Sequence, residues 1–150
     1  TSLYIAPDIH LADDQGVDFQ LAKLKGKHVV LYFYPKADTP GCTKESCEFR
    51  DSSQKFTAQD TVIVGVSPDK SAAQSKFKTK FDLPFTLLAD VDHATAEAYG
   101  VWKEKSMYGK KYMGIDRTTF VIGKDGRIRK IFSKVKPEGH AEEVYQALAV

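Results

Sequence analysis

The sequence predicts an α/β fold with a mixed sheet covered by helices on both faces, and three features predict it. VVLYFY (29–34), TVIVGVS (61–67) and FTLLAD (85–90) are short, continuous apolar runs, as expected of strands buried on both faces. After the first two runs stand Thr39-Pro40 and Ser67-Pro68-Asp69, a capping residue followed by proline, the pattern that opens helices. Finally, RTTFVIGKDGRIRKIFS (117–133) reads as an antiparallel hairpin turning at GKDG. Alternating strands and helices give parallel neighbours, and the closing hairpin makes the sheet mixed.

The N-terminal part reads as a short extended segment and a hairpin, with DDQG (13–16) as the turn and VDFQL (17–21) alternating afterwards. KGKHVVLYFYP (25–35) holds a buried central strand closed by Pro35. From Thr39 a helix is expected to run to roughly Gln59, and from the Ser67-Pro68-Asp69 signal a second one runs to about Phe81. DHATAEAYG (92–100) is a short helix stopped by Gly100, and Pro137 to Val150 reads as a terminal helix. This order fits a thioredoxin-like fold: a central mixed β-sheet flanked by helices, with an N-terminal extension or hairpin. No internal repeat or low-complexity linker divides the chain, so a single domain over 1–150 is expected.

A chain of 150 residues can bury a real core without staples. Its 42% hydrophobic and 28% charged residues are those of an ordinary soluble protein. Lys and Arg number 22 against 20 Asp and Glu, too even a balance for nucleic acid as the main partner. The longest apolar runs are far too short to span a bilayer, so no membrane association is expected. No signal peptide is visible, but the chain opens TSLY without Met, so this carries little weight. A cytoplasmic location is expected, with an organellar one after removal of a leader left open. Two cysteines do not make a disulfide scaffold; they suit a reducing compartment.

Both cysteines fall in PKADTPGCTKESCEFRD (35–51). With Thr39 as N-cap, Pro40, Gly41 and Cys42 are the first three helical residues. The free N–H groups of that turn and the positive end of the helix dipole then favour a thiolate at Cys42. Gly41 lets a ligand approach the backbone, and Pro35 ends the strand so that the loop can fold over the sulfur. The alternative is a small buried cysteine in a helix cap. Residues five apart on a helix differ by about 140° and about 7.5 Å in rise, which sets their Cα atoms about 8.7 Å apart. A disulfide wants roughly 4.4–6.8 Å. Cys42 and Cys47 therefore cannot bond while the helix stands, and a disulfide between them requires local unwinding. An inert core cysteine at position 47 is the bland alternative.

PKADTPGCTKE (35–45) resembles a peroxiredoxin active site, with its pattern P-x-x-x-T-x-x-C. The second cysteine five residues on is similar to the peroxiredoxin Q or bacterioferritin comigratory protein subfamily. The likeness extends through IAPD (5–8), IVGVSPD (63–69), YGVWKEKSMYGKKYMGIDRTTFVI (99–122) and KVKPEGHAEEV (134–144). It implies a thiol-dependent peroxidase that reduces hydrogen peroxide and organic hydroperoxides. Cys42 would be the peroxidatic cysteine, becoming a sulfenic acid, and Cys47 the resolving cysteine. Thr39 would hydrogen-bond peroxide and thiolate, Pro35 would shield the site from water, and Arg117 would supply a cationic fork. Read from the residues alone, Arg117 is a surface residue at the start of a strand. Glu45, one turn after Cys42, is a candidate to orient that arginine or else a solvated carboxylate, and Arg50 is a weaker candidate for the same network. The resemblance further implies a monomer, no metal, haem or flavin, and recycling by thioredoxin or a similar dithiol protein.

Competing readings are a general thiol–disulfide oxidoreductase, disfavoured by the lack of C-x-x-C, and a non-enzymatic redox sensor. His10, His28, His93 and His140 are scattered and make no metal-ligand spacing with the cysteines. KEKSMYGKKYMG (103–114), basic and aromatic, reads as a solvated loop or hairpin rather than a nucleic-acid contact, and it leads directly to Arg117. Trp102 reads as a packing residue.

Overall fold

A computed structural model describes residues 4–148. Its centre is a parallel pair, β3 (His28–Phe33) and β4 (Thr61–Ser67), in register from His28 against Thr61 to Phe33 against Val66. β5 (Thr86–Ala89) continues the parallel run beyond β4. Antiparallel β8 (Thr118–Ile122) pairs on the other side of β3 and carries β9 (Ile128–Phe132) at the edge. The N-terminal hairpin, β1 (His10–Asp13) and β2 (Asp18–Gln20), adds to β5 and completes the order β2-β1-β5-β4-β3-β8-β9.

The continuous apolar runs follow from burial on both faces. Val29, Leu31 and Phe33 point into one cluster with Val64, Val66, Phe120 and Ile122. Val30, Tyr32 and Tyr34 point into the other, with Phe49, Phe56, Phe77, Leu87 and Val144. The first face is covered by a 3-10 turn (Leu21–Leu24) and α4 (Ala94–Ala98), which contribute Leu21 and Ala96. The second is covered by α1 (Pro40–Asp51), α2 (Ser53–Ala58), α3 (Ser71–Phe81) and α5 (His140–Leu148). None of the helices among the described residues is long and apolar enough to cross a membrane.

Three helix expectations are corrected. The helix expected to run from Thr39 to Gln59 breaks at Ser52 (φ −100°, ψ 2°), whose N–H is shared between the Glu48 and Phe49 carbonyls. Two adjacent serines are weak helix formers that compete for backbone partners. The break still lets Phe49 and Phe56 bury side by side, ring centres 5.9 Å apart. α3 begins at Ser71, not at Pro68, because the Ser67 hydroxyl donates to Asp69 instead of capping a helix. The terminal helix starts at His140, since Gly139 takes φ +78°; the last two residues of the expected span, 149 and 150, lie outside the described residues. The basic, aromatic stretch 103–114 is a hairpin with its own two-stranded sheet, β6 (Trp102–Met107) and β7 (Lys110–Ile115). Tyr108 and Gly109 both have positive φ at its tip, as a tight two-residue hairpin turn requires.

Candidate active site

The register of β3 against β8 brings the site together. Phe33 lies opposite Thr118, so Arg117, just before β8, sits at the same end of the sheet as the loop that leaves β3. That loop continues from Tyr34, whose N–H bonds the Val66 carbonyl, through an exposed Pro35 to a left-handed Asp38 (φ +60°). Thr39 has the extended backbone of an N-cap (φ −98°, ψ 156°), but its hydroxyl does not cap the helix. It donates backwards to the Lys36 carbonyl at 2.8 Å, which closes the turn 36–39 and leaves the first amides of α1 without a cap from this side chain.

Cys42 is the third residue of α1 and is completely buried. Its Sγ lies 3.2 Å from Nη2 of Arg117, 75 residues away in sequence. Gly41 permits that approach: a Cβ there would stand 3.2 Å from the same Nη2 and 3.6 Å from Cγ of Pro137. Nη1 of Arg117 donates to Oε1 of Glu45 at 2.9 Å, so the guanidinium bridges the thiol and a carboxylate on the same helical face. Burial works against the arginine's charge, yet Cys42 and Glu45 outweigh it and hold its pKa above the ordinary value.

Glu45 is 1% exposed, and its Oε2 has no hydrogen-bond partner among the described residues. Burial pushes its carboxyl up to about 7, against the pull of Arg117. Desolvation is the larger effect because only one of its two oxygens is bonded. Cys47 is half-buried and, like Cys42, a free thiol; α1 runs unbroken through both positions. A cleft of about 550 Å³ opens beside the first turn of α1, lined by Pro40, Gly41, Lys44, Lys136, Pro137 and Glu138.

Arg50 does not join the network around Cys42. Its Nε bonds Asp51 at 2.9 Å and its Nη1 the Phe81 carbonyl at 2.8 Å, because its position on α1 faces the end of α3 and not Arg117. His140 is buried, with Nε2 2.7 Å from the Thr119 hydroxyl and Nδ1 2.9 Å from Glu143. His93 stacks flat on Trp102 at 3.9 Å between ring centres. Sequence reasoning missed Asp69, whose Oδ2 accepts the Ala37 amide at 2.7 Å within the loop that leads to Cys42. It also missed Pro137 at the rim and Glu48, which accepts the Gly139 amide at 2.9 Å and ties α1 to the segment before α5. The only hint of Asp69 was an acidic residue after Ser-Pro, which has the same appearance at a helix start.

The model of the AhpC/TSA family matches residues 4–131. A peroxiredoxin Bcp from Bacillus subtilis (strain 168) is 53% identical over 143 residues, 95% of this chain and 91% of that protein. The peroxiredoxin Bcp of Escherichia coli (strain K12) is 43% identical over 140 residues, covering 93% and 90% respectively. Among solved structures, the Xanthomonas campestris bacterioferritin comigratory protein, studied for its alkyl peroxide reduction activity, superposes with a TM-score of 0.90. It is 38% identical over 94% of this chain and 90% of that one.

Proposed function

The chain belongs to the AhpC/TSA family, among its peroxiredoxin Q/Bcp members, and we propose from that premise how its residues carry out thiol-dependent peroxide reduction. The observation that carries the proposal is the Cys42 sulfur at the start of α1 with Arg117 Nη2 at 3.2 Å. The Cys42 thiolate attacks one oxygen of a hydroperoxide. An S–O bond forms as the O–O bond breaks, and sulfur is oxidised to a sulfenic acid. The departing hydroxide or alkoxide takes up a proton and leaves as water or alcohol. Negative charge moves from sulfur to the leaving oxygen, and the Arg117 fork, fixed by Glu45, stabilises both ends without having to reorient. Thr39 offers its hydroxyl to the peroxide once it swings from the Lys36 carbonyl, and Pro35 limits water around the loop.

Cys47 acts second. Its distance from Cys42 along a standing helix is too great for a bond, so the first turns of α1 unwind. The Cys47 thiolate then attacks the sulfenic sulfur. The S–S bond forms, the S–O bond breaks, and hydroxide leaves to become water. A dithiol protein, thioredoxin or one like it, reduces the disulfide by exchange and is itself oxidised to a disulfide. Each turnover thus consumes one hydroperoxide and one dithiol. Hydrogen peroxide and organic hydroperoxides are both substrates in this reading, and the protein acts as a cytoplasmic monomer without nucleic acid or membrane. Cys42→Ser should abolish peroxidase turnover. Cys47→Ser should keep one rapid oxidation and lose thioredoxin-driven recycling. Full turnover by Cys42→Ser would refute the mechanism.

A further inference from the structure

Among the described residues, the loop before Cys42 is fastened from outside its own segment at one backbone amide. The Ala37 N–H donates to Asp69 Oδ2 at 2.7 Å across 32 residues. The same oxygen accepts the Ser67 hydroxyl at 2.6 Å. Ser67 Oγ in turn accepts Nε2 of Gln74 at 2.9 Å, and Gln74 Oε1 accepts the Tyr34 hydroxyl at 2.6 Å. Gln74 Nε2 also donates to the Leu88 carbonyl at 2.8 Å. Tyr34, Ser67 and Gln74 are buried, and every donor and acceptor named here is matched, the condition under which a polar network is rigid. Asp69 is thereby fixed to the ends of the central strands and to α3.

What Asp69 holds is the approach to the sulfur. The residue after Ala37 is the left-handed Asp38, a backbone state that aspartate tolerates better than most residues and that turns the chain toward α1. The Thr39 hydroxyl bond to Lys36 and the Thr43 amide bond to the Thr39 carbonyl, each 2.8 Å, then lead into the first turn of α1. The other tie on this turn, Lys80 to Asp38 at 2.9 Å, joins two exposed groups and contributes little.

We propose that Asp69 is a positioning residue of the peroxidase: by holding the Ala37 amide it keeps the 36–39 turn and the first turn of α1 in the arrangement that reacts with peroxide, and so opposes the unwinding that lets Cys42 reach Cys47. The inference rests on the peroxidatic and resolving roles given to Cys42 and Cys47. Loss of a hydrogen bond to a charged acceptor should shift the balance between the two arrangements by roughly tenfold.

Rapid-quench mass spectrometry on Asp69→Ala and Asp69→Asn separates the two steps. In Asp69→Ala, conversion of sulfenic acid to disulfide should run roughly tenfold faster than in the wild type. The fraction trapped as sulfinic acid at high peroxide should fall with it, and the peroxide-dependent step should not speed up. Asp69→Asn keeps one acceptor oxygen and should shift both readouts the same way by less, so it carries the test if the alanine variant does not fold. A merely structural role would lower thermal stability without speeding the disulfide step. An unchanged or slower disulfide step in a folded Asp69 variant, or a larger sulfinic fraction, overturns the proposal. Peroxide turnover by Cys42→Ser would instead overturn the reading beneath it.

Discussion

Glu45→Gln tests the electrostatics of the site through the pH dependence of stability. The wild-type carboxyl is buried with one oxygen unpartnered, and burial lifts it to about 7 although Arg117 stands 2.9 Å away. In the unfolded chain a glutamate ionises near 4.3, so the folded protein holds a proton that the unfolded chain has released. Stability is therefore full at low pH, declines as pH rises from about 4 to about 7, and stays at the lower level above. A displacement of this size corresponds to about 4 kcal/mol in full, of which about 3 kcal/mol falls above pH 4.5. Glutamine keeps an oxygen for Arg117 and cannot ionise. His140, which burial holds below the ordinary histidine value, acts in the opposite direction below about pH 6.5 and is common to both proteins. The difference between them thus isolates Glu45. Urea unfolding from pH 4.5 to 8 should show the variant gaining about 3 kcal/mol on the wild type, most of it between pH 5 and 7. Parallel curves over that range would mean that Glu45 is not held protonated by burial.

Two further outcomes follow from the arginine's geometry. Arg117→Ala should lower kcat/KM for peroxide by about 10²–10³-fold, the usual cost of losing a preset donor at developing charge. Arg117→Lys should recover only part of it, because a single ammonium cannot bridge Cys42 and Glu45; steady-state peroxide consumption distinguishes the two. Gly41→Ala should slow sulfenic acid formation several-fold, since its Cβ would press on Nη2 of Arg117 at 3.2 Å. Alanine favours the helix by about 0.5–1 kcal/mol, so thermal melting should show stability unchanged or raised while stopped-flow kinetics show the slower oxidation.

Much of this scaffold was legible because the determinants are local. TVIVGVS is β4 from its first residue to its last, and the turns at DDQG and GKDG lie between the strands they were expected to join. Thr39-Pro40-Gly41-Cys42 opened a helix at the expected residue, since proline at the first position and an extended residue before it are short-range effects. The reach of that helix was not legible. Its break at Ser52 serves the packing of Phe49 against Phe56, and nothing in the serine pair alone specifies it. The Thr39 hydroxyl, expected at the helix cap, is turned back to donate to the Lys36 carbonyl instead, a choice that residue type alone does not reveal. Arg117 was indistinguishable from a surface residue until the resemblance singled it out, because its partners lie 72 and 75 residues away. Asp69 was hidden for the same reason: the group it serves is a backbone amide, and amides carry no mark in a sequence.

The most direct test of the central claim is intact mass, taken seconds after one equivalent of peroxide is added to the fully reduced protein without any reductant. Loss of two hydrogens is expected at that speed, with peptide mapping placing a single disulfide between Cys42 and Cys47. That result requires both fast attack by Cys42 and transient unwinding of α1, since an intact helix holds the two thiols too far apart. A mass unchanged after minutes would rule out fast attack by Cys42 and leave two quiet thiols in a thioredoxin-like scaffold.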